Sequence, residues 1–218
     1  MNTLYVGGVE VAIDDATVQW QGALNVDGDG APNCYGPPPL ASLDYLANAG
    51  HGPRDGEPAN WYGVVTDTGR PTGNPIVQGP SDPCPGFYVS QTALEDPSKR
   101  DSDPTKYVDA SAVPYLSIPP ELERWQGARL LCVGDVAIVT YRGLSSPAVV
   151  ADVGGHGKLG EGSCALARAL GLDPSPKDGG IGGGVSVVVW RGSSKSWPRS
   201  WQSVVEQVAG LMAVQTVS

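Results

Sequence analysis

Two acids, Asp152 and Glu161, stand within the stretch ADVGGHGKLGEGSCALARALG at 151–171. Both sit among glycines, after an apolar run and before a helix-like pattern. Two carboxyl groups facing one cleft can cut a glycosidic bond. One protonates the leaving oxygen, and the other activates water or attacks the sugar directly. An inverting site holds the two groups about 6.5–9.5 Å apart, which leaves room for the water. The division of labour needs two environments, because burial raises a carboxyl pKa while a helix N-terminus favours the ionised form. By type and spacing alone, the same acids also fit a turn aspartate and a glutamate in the first turn of a helix.

Other residues could complete such a site. The run DGDGAPN at 27–33 places oxygen-bearing side chains at Asp27, Asp29 and Asn33. A calcium loop of the EF-hand type needs more ligands and a distal glutamate. The run reads instead as a turn whose aspartates contact a cationic substrate, with no metal and no cofactor expected. Of the tryptophans, Trp190 lies in a strand of valines and reads as core, while the pair Trp61-Tyr62 follows a loop and could stack on a sugar face. His156 lies between the two acids, where it could touch substrate or carry a proton. Gly-x-Ser-x-Gly, P-loop and dinucleotide patterns are absent from the sequence.

The elements that must position these residues are short. Alternating apolar stretches at 1–26 predict a hairpin turning at Gly7-Gly8. Residues 27–106 are rich in turns, with strand candidates at 61–67, 75–79 and 86–92 and a short helix at 40–48. Strands at 135–141 and 147–153 form a hairpin through Arg142-Gly143. Asp152 then ends a strand and Glu161 opens a helix that stops at Gly171. A β-branched strand follows at 183–192, and the tail carries Val204, Val205, Val208 and Leu211 on one helical face.

Composition narrows the class. The 218 residues include 30 glycines and 20 prolines without a collagen period, so many turns join short strands. The net charge of -9 argues against a nucleic acid partner, which wants a basic stripe, and favours cationic ligands. No apolar window is long enough to cross a membrane. The N-terminus lacks the basic and apolar regions of a signal peptide. The cysteines form no CxxC pair, and the two histidines are far apart, which disfavours zinc. Cys34 and Cys84, both in Pro-flanked loops, are the first pair to test for a disulfide, while Cys132 and Cys164 read as buried thiols.

The block SPAVVADVGGHGKLGEGSCALARALG resembles the motif of the fungal-type chitosanases, glycoside hydrolase family 75. There a strand ends in a Gly-Asp-Thr-like step, and a Gly-rich loop leads into Gly-Glu-Ala-Ser and a helix. Here Ala151-Asp152-Val153 and Gly160-Glu161-Gly162-Ser163 stand in those places. The stretch ALNVDGDGAPN resembles the family's Asp-Cys-Asp-Gly segment, with Asp27 and Asp29 in the acidic positions and Gly28 for the cysteine. YVDASAVPYLSIP is similar to a family segment, with Asp109, Pro114 and Tyr115 in place. The likeness covers scattered blocks from about residue 23 to 172, and the stretch 35–106 lies outside it.

The resemblance implies that Asp152 and Glu161 are the catalytic acids, Glu161 the general acid and Asp152 the general base. Asp27, Asp29, Asp109, Tyr115, Trp61 and His156 are candidate substrate contacts. The expected fold is mainly β with flanking helices (α+β), a six-stranded, double-psi-like β-barrel with long loops. One domain is expected over 1–218, with 1–22 as an N-terminal extension or hairpin and 194–218 as a C-terminal helix. The expected activity is endo-hydrolysis of β-1,4-linked glucosamine in chitosan, with inversion, by a monomer secreted or delivered outside the cell. The alternatives are an enzyme on peptidoglycan, phage-borne or effector-like, and a non-catalytic carbohydrate-binding barrel.

Overall fold

The structure, a computed structural model, describes residues 2–215. Met1 of the expected N-terminal extension and 216–218 of the expected C-terminal helix lie outside the described residues. Strands β1 (Asn2–Val6) and β2 (Val9–Ile13) form the expected hairpin. Gly7 and Gly8 both take positive φ, 55° and 83°, as a tight turn matched to strand twist requires. The hairpin adds to the side of β3 (Thr17–Asp27). The barrel proper therefore starts at Thr17, within the segment read as an extension.

The long insertion after β3 contains only β4 (Gly50–His51) and β5 (Asn60–Trp61) as paired strands. Then come β6 (Tyr115–Ile118), the short helix α1 (Pro120–Glu123), and the small pair β7 (Arg124–Trp125) and β8 (Ala128–Arg129). Strands β9 (Val136–Tyr141) and β10 (Leu144–Val153) make the expected hairpin through Arg142-Gly143. They are followed by β11 (Glu161–Ser163), helix α2 (Cys164–Ala169), β12 (Ile181–Trp190) and helix α3 (Trp201–Gln215).

Six of these strands close a ring in the order β3, β11, β6, β10, β9, β12, with β12 returning to β3. Two contacts are parallel, β3 with β11 and β6 with β10, and the others are antiparallel. The protein is mainly β, a closed six-stranded barrel with flanking helices and long loops, as the sequence reading expected.

Period-two alternation divides the barrel residues between two cores. Leu116, Ile118, Ala148 and Val150 belong to the larger core with Leu24, Val139, Leu166 and Val187. Their neighbours Tyr115, Val149 and Ala151 point the other way. They pack beneath the insertion against Ala31, Tyr35, Val64 and Leu94. Each fully buried Leu or Val contributes about 1.5–3 kcal/mol relative to exposure, so this second core is what holds an otherwise irregular insertion on the barrel. Helix α3 lays Val204 and Val208 over Val136 and Trp190.

Four local expectations are corrected. The helix at 40–48 is a single 3₁₀ turn, Leu46–Ala49. The Asp44 carboxylate accepts from the Tyr45 N–H (2.6 Å) and from Asn48 Nδ2 (3.0 Å), holding this segment through side-chain bonds instead of helical ones. The candidates at 61–67, 75–79 and 86–92 are extended segments joined mostly by single bridges, such as Val64 to Ser90 and Val77 to Tyr88, because prolines and glycines interrupt them. Glu161 opens a strand, not a helix; the helix begins at Cys164, where Ser163 Oγ accepts from the Leu166 N–H at 3.0 Å. All four cysteines are free thiols. Cys34 is buried inside the second core and Cys84 lies in a separate loop, so the pair first considered for a disulfide is unbridged.

Candidate active site

The site is built on three neighbouring strands. On β10 the register shifts between Val150 and Asp152, so one residue, Ala151, is extra. The bulge sets Asp152 opposite Ser117 of β6, a place Ala151 would otherwise take. On the other side of β6, Ser117 faces Glu161 of β11. Glu161 in turn pairs with Asn25 of β3, whose end carries Asp27. Strand register thus lines up Asp152, Ser117 and Glu161 across three strands, with Asp27 at the corner.

These residues line an open cleft of about 770 Å³. Its far wall comes from the insertion: Asp44, Asn48, Tyr62, Gln91 and Ala93. Asp29 lies beyond Asp27 in a turn in which the Asp29 N–H donates to Asp27 Oδ1 at 2.9 Å. The Tyr35 hydroxyl donates to Asp29 Oδ1 at 2.6 Å, and the Tyr115 hydroxyl donates to the Asp29 carbonyl at 3.0 Å. The Ala93 N–H donates to Asp152 Oδ1 at 2.8 Å. One carboxylate oxygen from each of Asp27, Asp29 and Asp152 lies within 4.8 Å of the others. Each acid is therefore held by a donor from the surrounding frame.

Such crowding in a half-buried place cannot leave every acid ionised. Burial, then the Asp27 charge, pushes the Asp152 carboxyl up to about 7, against the Ala93 N–H, which favours the carboxylate. Burial and the charges of Asp27 and Asp152 hold Asp29 well above the ordinary aspartate value. Burial raises Asp27 as well, opposed by hydrogen bonds from the Asp29 N–H and Tyr115. Glu161 is raised by burial and by Asp27, while the Lys158 ammonium opposes the shift. The two acids facing Ser117 thus have different surroundings: Asp152 crowded by acids, Glu161 beside a cation.

Gly154 permits the approach of these groups. A Cβ on Gly154 would stand 2.5 Å from Glu161 Oε2 and 3.1 Å from Ser117 Oγ. The loop after Asp152 can therefore fold directly over both oxygens only because it has no side chain there.

The structure gathers Asp27, Asp29, Asp152 and Glu161 into the cleft. Tyr115 is buried beneath it and supports Asp29. The remaining candidates lie elsewhere. Trp61 is buried, tilted against Tyr88 with ring centroids 6.1 Å apart, and its neighbour Tyr62 reaches the cleft in its place. Asp109 stays in its own turn, accepting from the Ser111 N–H at 2.8 Å. His156 points to solvent and pairs with Glu121 at 3.1 Å, because its loop turns outward.

Sequence reasoning missed Ser117, Asp44, Asn48, Gln91 and Lys158. Ser117 left a trace: it is the one polar residue of strand YLSI, on the same face as Tyr115. Asp44, Asn48 and Gln91 reach the site through the path of an irregular insertion, which carries no periodic signal.

Compared with known proteins, the chain matches no family model and no curated sequence. What the cleft can do must therefore be read from its residues. It holds five carboxyl side chains, Asp27, Asp29, Asp44, Asp152 and Glu161, against one ammonium, Lys158. Carboxylates in that excess favour cationic over anionic groups. A protonated carboxyl facing an ionised one across a gap is also the equipment of acid–base hydrolysis.

Proposed function

We propose that this protein is an endo-acting glycoside hydrolase that cleaves β-1,4-linked glucosamine polymers with inversion, using Asp152 and Glu161. The observation that carries the reading is their alignment on either side of Ser117 at the floor of an acidic cleft. The two acids are two strand spacings apart, roughly 9–10 Å between Cα atoms. That backbone spacing is compatible with the carboxyl separation that leaves room for a water. The resemblance to glycoside hydrolase family 75 agrees with this pair.

The surroundings of the acids favour a particular division of roles. Asp152, whose pKa is pushed to about 7, is suited to hold the proton and donate it to the leaving oxygen. Glu161 is raised by burial and by Asp27, but the Lys158 ammonium opposes that shift and makes it the better suited of the two to take a proton from water. This reverses the allocation drawn from the resemblance. In the step, the water oxygen bonds to the anomeric carbon as the carbon–oxygen bond to the leaving sugar breaks. Glu161 takes the water's proton and Asp152 protonates the departing oxygen.

The acidic cleft supports a cationic glycan over a neutral one. The non-catalytic alternative would be supported by acids facing a packed core or a site without a groove, whereas here the acids line open space. A direct test is viscometry of soluble chitosan beside turbidity of purified peptidoglycan. A rapid loss of chitosan viscosity with unchanged cell-wall turbidity is expected. Clearing of the cell walls alone would move the substrate to peptidoglycan, and no change in either would remove the hydrolase reading.

A further inference from the structure

Ser117 is 2 % exposed, yet its hydroxyl has no hydrogen-bond partner in the protein. A buried polar group left unpaired costs about 1–3 kcal/mol, so such a group in a strand calls for an explanation. A valine or alanine would pack there without that cost. Ser117 is nevertheless at the edge of open space, since it lines the acidic cleft. It also occupies the middle position of the three-strand row, with Asp152 on one side and Glu161 on the other.

Its neighbour across the strands is polar. A Cβ on Gly154 would stand 3.1 Å from Ser117 Oγ and 2.5 Å from Glu161 Oε2. Both oxygens lie beside the same point, so one water can bridge them. A water needs two to four polar partners to be held, and these two, with the ligand, meet that need.

We propose that Ser117 seats the nucleophilic water of the reaction, holding it against Glu161 over the bare backbone of Gly154. The Ser117 hydroxyl donates to the water oxygen, and the water donates one hydrogen to Glu161 Oε2. Its remaining lone pair is then free to face the anomeric carbon. As the new carbon–oxygen bond forms, that hydrogen passes to Glu161 and the glycosidic bond breaks toward the proton on Asp152. Ser117 neither gains nor loses a proton. This inference rests on the proposed hydrolase reading and adds the group that orients its water.

The test compares wild type with Ser117→Ala, Ser117→Thr and Gly154→Ala on soluble chitosan, together with high-resolution crystal structures of wild type and Ser117→Ala. Loss of an orienting group that sets attack geometry is worth about 100-fold in rate. Ser117→Ala should therefore lose about that much kcat with KM unchanged. It should fold as stably as wild type or more so, because an unpaired buried hydroxyl is removed. Ser117→Thr, which keeps the hydroxyl, should recover most of the rate. Gly154→Ala should lose kcat by displacing the Glu161 carboxylate from its place beside Ser117. An ordered water between Ser117 Oγ and Glu161 Oε2 should appear in wild type and be lost in Ser117→Ala. Wild-type kcat in Ser117→Ala, or no water at that place in wild type, overturns the role of Ser117 and leaves the hydrolase reading standing. A wild-type protein that releases no ends from chitosan overturns both.

Discussion

Asp152 and Glu161 are separated by nine positions of chain but by one intervening strand of the barrel, and both face the same residue on it, Ser117. A bulge brings the first into line, and a three-residue strand brings the second. The Gly-rich connection between them lets the chain leave β10 and return on the far side of β6. Side chains on rigid neighbouring strands are held to a narrower geometry than loop residues. This is a physical reason to place chemistry on the row Asp152, Ser117, Glu161.

The crowding of acids should make the folded protein sensitive to alkali. The Asp152 carboxyl sits at about 7 when folded, against an ordinary value of 3.8. Its folded pKa is raised, so the native state binds more protons between those values. Stability is then greatest below the unfolded pKa and falls as pH rises toward 7. Asp152→Asn, which cannot ionise, should be more stable than wild type at pH 8 by roughly 2 kcal/mol after allowance for solvent screening, and near wild type at pH 4. Urea unfolding at the two pH values checks this. An Asn variant less stable at pH 8 would contradict it.

The pH dependence of turnover should be bell-shaped. Asp152 must be protonated to donate, so activity should fall as pH rises through about 7. Glu161 must be ionised to accept, so the acid limb should lie above the ordinary glutamate value, as burial and Asp27 dictate. Initial rates on short soluble glucosamine oligomers across pH 4–9 would locate both limbs. Flat activity through pH 9 would remove Asp152 as the donor.

Lys158 acts chiefly on one limb. Its ammonium opposes the upward shift of Glu161. In Lys158→Ala the acid limb should move to higher pH, by more than the alkaline limb moves. A larger shift of the alkaline limb would exchange the roles of the two acids.

Much of the fold was legible because it is periodic. The hairpin at Gly7-Gly8, the β9–β10 hairpin and the valine-rich β12 follow alternation and turn chemistry. Spacing beside glycines left Asp27, Asp29, Asp152 and Glu161 open to structural roles; the resemblance singled them out, and the fold gathers them into one cleft. What stayed hidden depends on distant contacts. The strand at Glu161 exists only because β3 and β6 flank it; three residues carry no period of their own. The burial of Trp61, with only its neighbour Tyr62 left at the cleft, and the arrival of Asp44 and Gln91 there follow from how the insertion folds over Tyr115 and Ala151. His156 is near the acids in sequence, yet its loop pairs it with Glu121 outside the cleft.

The turn that carries Asp27 and Asp29 depends on Gly30. Its φ is +79°, and a Cβ there would meet the Val108 carbonyl at 2.0 Å. Its N–H donates to Ser90 Oγ at 3.0 Å, tying the turn to the insertion. Gly30→Ala should lower stability by about 2–4 kcal/mol and reduce activity in the fraction that folds, by displacing Asp29. Thermal unfolding with rates at a permissive temperature checks both; a variant with unchanged melting would contradict the contact.

The most direct measurement of the central claim is reducing-end release from soluble chitosan by wild type, Asp152→Asn and Glu161→Gln, each first shown to be folded by circular dichroism. The expected result is release by wild type and a loss of at least about 100-fold in both variants, since each removes an acid–base group. Release at the wild-type rate by either variant would contradict the claim that this pair of acids performs the cut.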